Sequence, residues 1–358
     1  MTIQELLKDD FFNLPLKQPK NKSFDKFIEE FLNTFLEKVN LLDSGFQTFG
    51  TQFIKNTQEK IVKGLIKSIK EYYNGNPYKA YKELDKTLRN DLKDLYVIIK
   101  QKTYSENENF YRIRLKKENY DLNRKDLFHI PFELRGKVTS QRYSIPGFPS
   151  LYLARTIYVC WEELNRPKID DFQVMRLEST KPIKFLDLTP PTDNPELLTR
   201  ELYRYFMTFP LVACCSVKAK NSSDTFKPEY IIPQLLLQWV RNNDRLDGIK
   251  YKSTHINANL YKKEGKLSNL VLPVKQNKNS GHCNKLKSMF KMTEVTSWQL
   301  YQFAVGGMIF MRNSEENKLI DDKLPKIEFV KGRKHPYSYS VIGKLEQYTD
   351  EMNTNRMK

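Results

Sequence analysis

The chain has 358 residues, enough for one large or two medium domains around a sizeable core, and no repeat marks it as a solenoid. It has no uninterrupted apolar run, and acidic residues follow closely on the short apolar patch of its start, MTIQELLKDDFF; neither a secretory signal nor a membrane span is expected, and the protein is placed in the cytoplasm. The 60 Lys and Arg against 43 Asp and Glu give +17, yet the lysines alternate with glutamates, as in IKSIKEYYNGNPYKAYKELDK, which reads as a solvated surface more than as a nucleic-acid patch.

From the start to about Gln101 the apolar pattern is helical. Phe24, Phe27, Ile28, Phe31, Leu32 and Phe35 mark one helix with Ser23 as its N-cap. Ile54, Ile61, Leu65, Ile69 and Tyr72 mark a second. After the break at Asn74-Gly75-Asn76-Pro77, a third carries Tyr78, Tyr81, Leu84, Leu88, Leu92 and Leu95. Such stripes are core, so residues 1–103 are expected to form a helical segment that packs on the rest or on a partner and takes no part in chemistry.

Past Thr103-Tyr104-Ser105 the periodicity changes. Strands are expected in FYRIRL, SLYLA, FQVMRLE, IKFLDL, LVACCSV, GIKYKST and NLVLPV, and helices in ARTIYVCWEELN, PELLTRELYRYFM and PEYIIPQLLLQWVRNN. This irregular exchange argues for an α+β domain over 104–295 with a mixed or antiparallel sheet. The remainder, 296–358, is expected to pack on that core: a helix in SWQLYQFAVGGMIF, a polar break at Asn313-Ser314-Glu315, a closing Lys/Tyr-rich strand or hairpin, and a frayed end.

The candidate chemistry lies between Phe110 and Leu164. Arg112 and Arg142 sit in or beside strands, where each offers a phosphate a two-pronged fork that lysine lacks. Ile145-Pro146-Gly147-Phe148-Pro149 makes a tight turn after Arg142 and Tyr143, ahead of the strand that holds Tyr152. In CWEEL, neighbours differ by about 100° around a helix, so only one of Glu162 and Glu163 can face a cleft. Glu163 is placed at the margin of the Trp161/Leu164 side, and Glu162 is expected to face elsewhere and tolerate change. His129 reads as a buried, hydrogen-bonded histidine. Cys160, Cys214, Cys215 and Cys283 lack metal-site spacing and read as buried thiols. HExxH, P-loop, GxGxxG and GxSxG motifs are absent.

In order, Tyr111-Arg112, Gln141-Arg-Tyr-Ser-Ile-Pro-Gly-Phe-Pro-Ser-Leu-Tyr-Leu-Ala154, Trp161-Glu-Glu-Leu164 and Gly248-Ile-Lys-Tyr-Lys-Ser253 resemble the RES-domain family, whose known members include bacterial toxins that destroy NAD. The resemblance spans Phe110 to Pro273. It departs at Tyr143-Ser144, where the smaller toxins usually carry Trp-Asn, and in a long stretch before Ser253 that leaves Ser216 as an alternative serine. It implies an ADP-ribosyltransferase-like fold and cleavage of the nicotinamide-ribose bond, with Glu163, Arg112 and Ser253 as catalytic residues. Arg112, Arg142, Tyr143, Tyr152, Ser253 and Asn269 would contact NAD. NAD is substrate, with no resident cofactor or metal implied, and the ADP-ribosyl acceptor is water, phosphate or protein. An antitoxin or regulatory protein, and self-association, are open as partners. The alternative is a basic nucleic-acid-binding or partner-docking module without catalysis.

Overall fold

The computed structural model describes residues 1–45, 50–89, 99–116, 120–191, 195–221, 223–256, 266–305, 315, 318, 321, 324, 326–330 and 332–357. In chain order the described α-helices are α1 (Ile3–Leu6), α2 (Phe24–Asn40), α3 (Thr51–Tyr73), α4 (Pro77–Arg89), α5 (Ile157–Glu163), α6 (Pro195–Cys215), α7 (Ile231–Arg241), α8 (Asn284–Lys287), α9 (Trp298–Val305) and α10 (Val341–Glu351). The strands are β1 (Gln101–Tyr104), β2 (Asn109–Leu115), β3 (Ser150–Ala154), β4 (Phe172–Ser179), β5 (Ile183–Asp187), β6 (Gly248–Lys252), β7 (Ser268–Pro273), β8 (Phe290–Met292), β9 (Ile327–Val330) and β10 (Arg333–His335). Eight of them form one mostly antiparallel sheet in the order β1-β5-β6-β7-β3-β2-β4-β8, within a mixed α and β fold. Leu92, Leu95, Asn313 and Ser314, and residues 306–310 of the stretch SWQLYQFAVGGMIF, lie outside the described residues.

The chain divides into two interleaved units. The first gathers 1–102, 139–147 and 185–249, and the second 103–138, 148–184 and 250–358. The N-terminal helices share a unit with α6 and α7. In α2, Phe24, Ile28, Leu32, Phe35 and Val39 are buried at the three- and four-residue spacing of one helix face. The rings of Phe12, Phe35, Phe206 and Phe209 pack together at tilted angles, with the Phe12 and Phe209 centres at 4.7 Å and the Phe35 and Phe206 centres at 5.8 Å.

LVACCSV, expected as a strand, is helical through Cys215 as the end of α6, with only Val217 making an isolated β-bridge, to Leu16. Leu211 through Cys215 are all buried, and a short run that is apolar on every side has no period to separate helix from strand. Pro210 inside α6 has no N–H for the carbonyl of Phe206, four residues earlier. Gln58 of α3 replaces it, donating from Nε2 to the Phe206 oxygen at 2.9 Å.

In the second unit, β2 pairs with β4 over seven residues, from Asn109↔Glu178 to Leu115↔Phe172, and β3 pairs with β7 over five, from Ser150↔Pro273 to Ala154↔Asn269. One face of these strands is covered by α5 and by the C-terminal segment: Tyr111, Ile113 and Ala154 share a buried cluster with Ile157, Trp161, Tyr337, Ile342 and Leu345. The closing segment contains the β9–β10 hairpin and also α10, which the sequence reading lacked; Ser340 caps it by accepting from the Gly343 N–H at 2.9 Å. Nor does the described end fray. Asn355 exchanges two backbone hydrogen bonds with Met292, at 2.8 and 2.9 Å, and Met357 is buried.

Candidate active site

Where β2 and β3 stop pairing, an arginine takes over. Their register holds one pair, Tyr111↔Ala154. The next residue on β2, Arg112, donates from Nη1 to the Tyr152 carbonyl at 3.0 Å, doing with a side chain what the ladder no longer does. Its Nε is sealed from solvent with no hydrogen-bond partner. No carboxylate forms an ion pair with Arg112 among the described residues. Burial pushes its guanidinium down to about 10, against the opposing pull of Cys160 and Tyr152, while the like charge of Arg114 adds to the fall. Tyr152 is partly buried, and burial lifts its phenol above the usual range with Arg112 acting in opposition.

The helix after β3 supplies the carboxylate. Thr156 caps α5 by accepting from the Val159 N–H at 3.3 Å, as a β-branched hydroxyl at a helix start can. Near the other end, Glu163 is partly buried and its Oε1 accepts from Asn269 Nδ2 at 2.9 Å. Asn269, 4% exposed, lies on β7 directly opposite Ala154. Cys160 lies three residues before Glu163 on α5, and its Sγ donates to the Tyr111 carbonyl at 3.3 Å. Burial pushes this thiol up to about 12, while Arg112 acts to lower it and Glu346 and Glu163 to raise it. Ser253, 1% exposed, follows β6, and its Oγ accepts from the His255 N–H at 3.1 Å. The strand order β6-β7-β3-β2 thus carries Ser253, Asn269, Tyr152 and Arg112 on or just after four neighbouring strands of the sheet.

Residues 109–278 match the RES domain family model. The chain is also 31% identical over 361 residues, 95% of its length and 78% of the relative's, to a Bacillus subtilis (strain 168) protein called "Putative toxin YopC". The chain belongs to the RES-domain family. No solved structure matches it.

Two other RES residues named from the sequence, Arg142 and Tyr143, belong to the first unit. There the Arg142 Nη1 donates to the Cys215 carbonyl at 3.2 Å and its guanidinium lies 5.0 Å from the Tyr230 ring centre. Tyr143 is 1% exposed beside the Cys215 thiol, which burial pushes up to about 12 against a hydrogen bond with Tyr143. Ser216 also lies in the first unit, whereas Ser253 shares the second with Glu163. The turn before β3 has the expected form, with Gly147 at φ +68°, a conformation glycine adopts without cost.

Glu162 has a different partner from Glu163: it is 5% exposed and takes a two-pronged pair from Arg166, at 3.0 Å from Nε and 2.7 Å from Nη2. His129 is fully buried and accepts from the Cys283 N–H at Nε2, 2.8 Å, so Nδ1–H donates to the Ile130 carbonyl at 2.7 Å. Burial drives its pKa down to about 4, with His282 and Arg112 adding and the Ile130 bond opposing; it is a neutral structural imidazole at physiological pH. Sequence reasoning named Cys160 only as a buried thiol, which it is, and did not name Arg166. Cys160 had a signal, its three-residue spacing from Glu163 on one helix.

Proposed function

We propose that this RES protein is a toxin-like enzyme that consumes NAD by breaking the nicotinamide-ribose bond. The observation that carries the reading is Arg112: a guanidinium with a sealed, unpartnered Nε and no carboxylate partner among the described residues, joined through Nη1 to the Tyr152 carbonyl of the neighbouring strand. Buried polar groups are normally satisfied, and a buried cation normally has a counter-charge, so this geometry favours an anionic ligand such as a pyrophosphate. The name of the Bacillus subtilis relative supports the toxin-like part of this reading.

In this reading Arg112 grips the pyrophosphate and orients the ribose. The bond between ribose C1′ and the nicotinamide nitrogen breaks, its electron pair leaving with nicotinamide, and an acceptor oxygen bonds to C1′ as it gives up its proton. Positive charge spreads over C1′ and the ring oxygen before that oxygen arrives. Glu163, held by Asn269, supplies the compensating negative charge. Tyr152 and Ser253 contact the nicotinamide-ribose end. Water, inorganic phosphate or a protein side chain serves as acceptor, giving a glycohydrolase, a phosphorylase or an ADP-ribosyltransferase.

Incubating the full chain with NAD, with and without phosphate, and identifying the products tests this. Free nicotinamide with ADP-ribose, or with a phosphorylated ADP-ribose when phosphate is present, is the expected result. Intact NAD under all conditions contradicts it.

A further inference from the structure

The family match ends at residue 278, yet the segment beyond it reaches the helix that bears Glu163. Glu346 on α10 is 8% exposed. Its Oε2 accepts from the backbone N–H of Ile157, the first residue of α5, at 2.7 Å, and from the Tyr337 hydroxyl at 2.6 Å. No earlier turn of α5 exists to take that N–H, so Glu346 satisfies a helix-start donor that would otherwise be buried and unpaired. The helix is seven residues long, and Ile157 and Glu163 are its first and last. A hold on one end of so short a rod fixes the rotation and depth of the other.

The second end of the hold is equally built. Arg176 on β4, 5% exposed, donates from Nε to the Thr349 carbonyl at 3.0 Å and from Nη2 to the Met352 carbonyl at 2.6 Å, pinning the C-terminal end of α10 to the sheet. From Glu346 to Arg176, α10 therefore links α5 to β4, the strand paired with the Arg112 strand along its whole length.

We infer that Glu346 is a positioning residue, which fixes α5 from outside the family-matched span so that the Glu163 carboxylate is held at the site containing Arg112. The catalytic part of this inference rests on the NAD-cleaving role proposed above. Glu346 also shares a polar cavity of about 250 Å³ with Glu108, Asp350, Arg155 and Lys266, with Tyr111 and Tyr337 on its wall. Burial, and then the charge of Asp350, push its carboxyl up to about 7, against the Tyr337 and Ile157 hydrogen bonds and Lys266. The charged form is the stronger acceptor for Ile157, so the hold weakens as pH falls through that value.

The test uses the full chain as wild type, Glu346→Ala and Glu346→Gln, with melting to confirm folding, NAD kinetics from pH 5.5 to 8.5, and hydrogen exchange of the α5 amides. In Glu346→Ala, kcat should fall on the order of tenfold to a hundredfold with KM for NAD little changed, because misplacement of a reacting group costs rate while Arg112 still binds. Glu346→Gln keeps an oxygen facing Ile157 and should recover most of kcat, but lose the fall in kcat that wild type shows on acidification through pH 7. The Ile157 amide should exchange faster in Glu346→Ala. A folded Glu346→Ala with wild-type kcat, or a Glu346→Gln that keeps the acid limb, overturns the inference. Wild type without NAD loss overturns the proposed function instead; hydrogen exchange then decides the anchor alone, and an unchanged Ile157 amide refutes it.

Discussion

Arg112→Lys keeps the charge and removes the fork. A lysine cannot reach both the Tyr152 carbonyl and a pyrophosphate in one plane, so KM for NAD should rise about tenfold, or about 1.4 kcal/mol, with a smaller change in kcat. Steady-state kinetics check this, and an unchanged KM would remove Arg112 from the binding site. Glu162→Gln, which the sequence marks as a silent change, should instead destabilise. It leaves a buried side chain to share a guanidinium that is 46% exposed, a loss of about 1 kcal/mol seen as a lower melting temperature with NAD turnover per folded molecule retained. The position of Arg112 on a strand was legible from the alternation of FYRIRL. The burial of Glu162 was not, because Arg166 returns to it only through two residues with positive φ, Asn165 at 60° and Arg166 at 55°. Nothing in EELNRP beyond a left-hand-tolerant asparagine announces that reversal.

At the scale of elements, the amphipathic helices α2 and α3 and the strands β2, β3, β4, β5, β6 and β7 follow from period and turn residues. The misreadings have physical causes. Residues 211–215 are buried on all sides and so carry no period, and the helix they end tolerates Pro210 because another helix repairs the broken ladder. Gln58→Leu tests that repair: the Phe206 carbonyl would be left buried and unpaired, and stability should fall by about 1 to 3 kcal/mol in denaturant melts. A variant as stable as wild type would mean that the proline costs α6 nothing. The helix α10 was missed because VIGKLEQYTDE contains a glycine and follows a Lys/Tyr-rich hairpin. Its apolar positions Ile342 and Leu345 are set by the α5 cluster they meet, which no local window contains.

At the scale of the molecule, the chain forms two interleaved units, and residues 185–249 supply α6 and α7 to the one that holds the N-terminal helices. Removing residues 1–95 should therefore expose the Phe206 and Phe209 face and make α6 protease-sensitive, which limited proteolysis with mass spectrometry reads directly. The charge of +17 remains a poor guide to a partner, being the sum of dispersed lysines. The central claim, that Glu163 stabilises charge formed only as the nicotinamide bond breaks, is tested most directly by kcat and KM for NAD in wild type and folded Glu163→Gln. Gln keeps the volume and an oxygen for Asn269 but not the charge, so kcat should drop on the order of a hundredfold to a thousandfold while KM stays near its wild-type value. Equal rates of NAD loss in the two proteins would contradict the account.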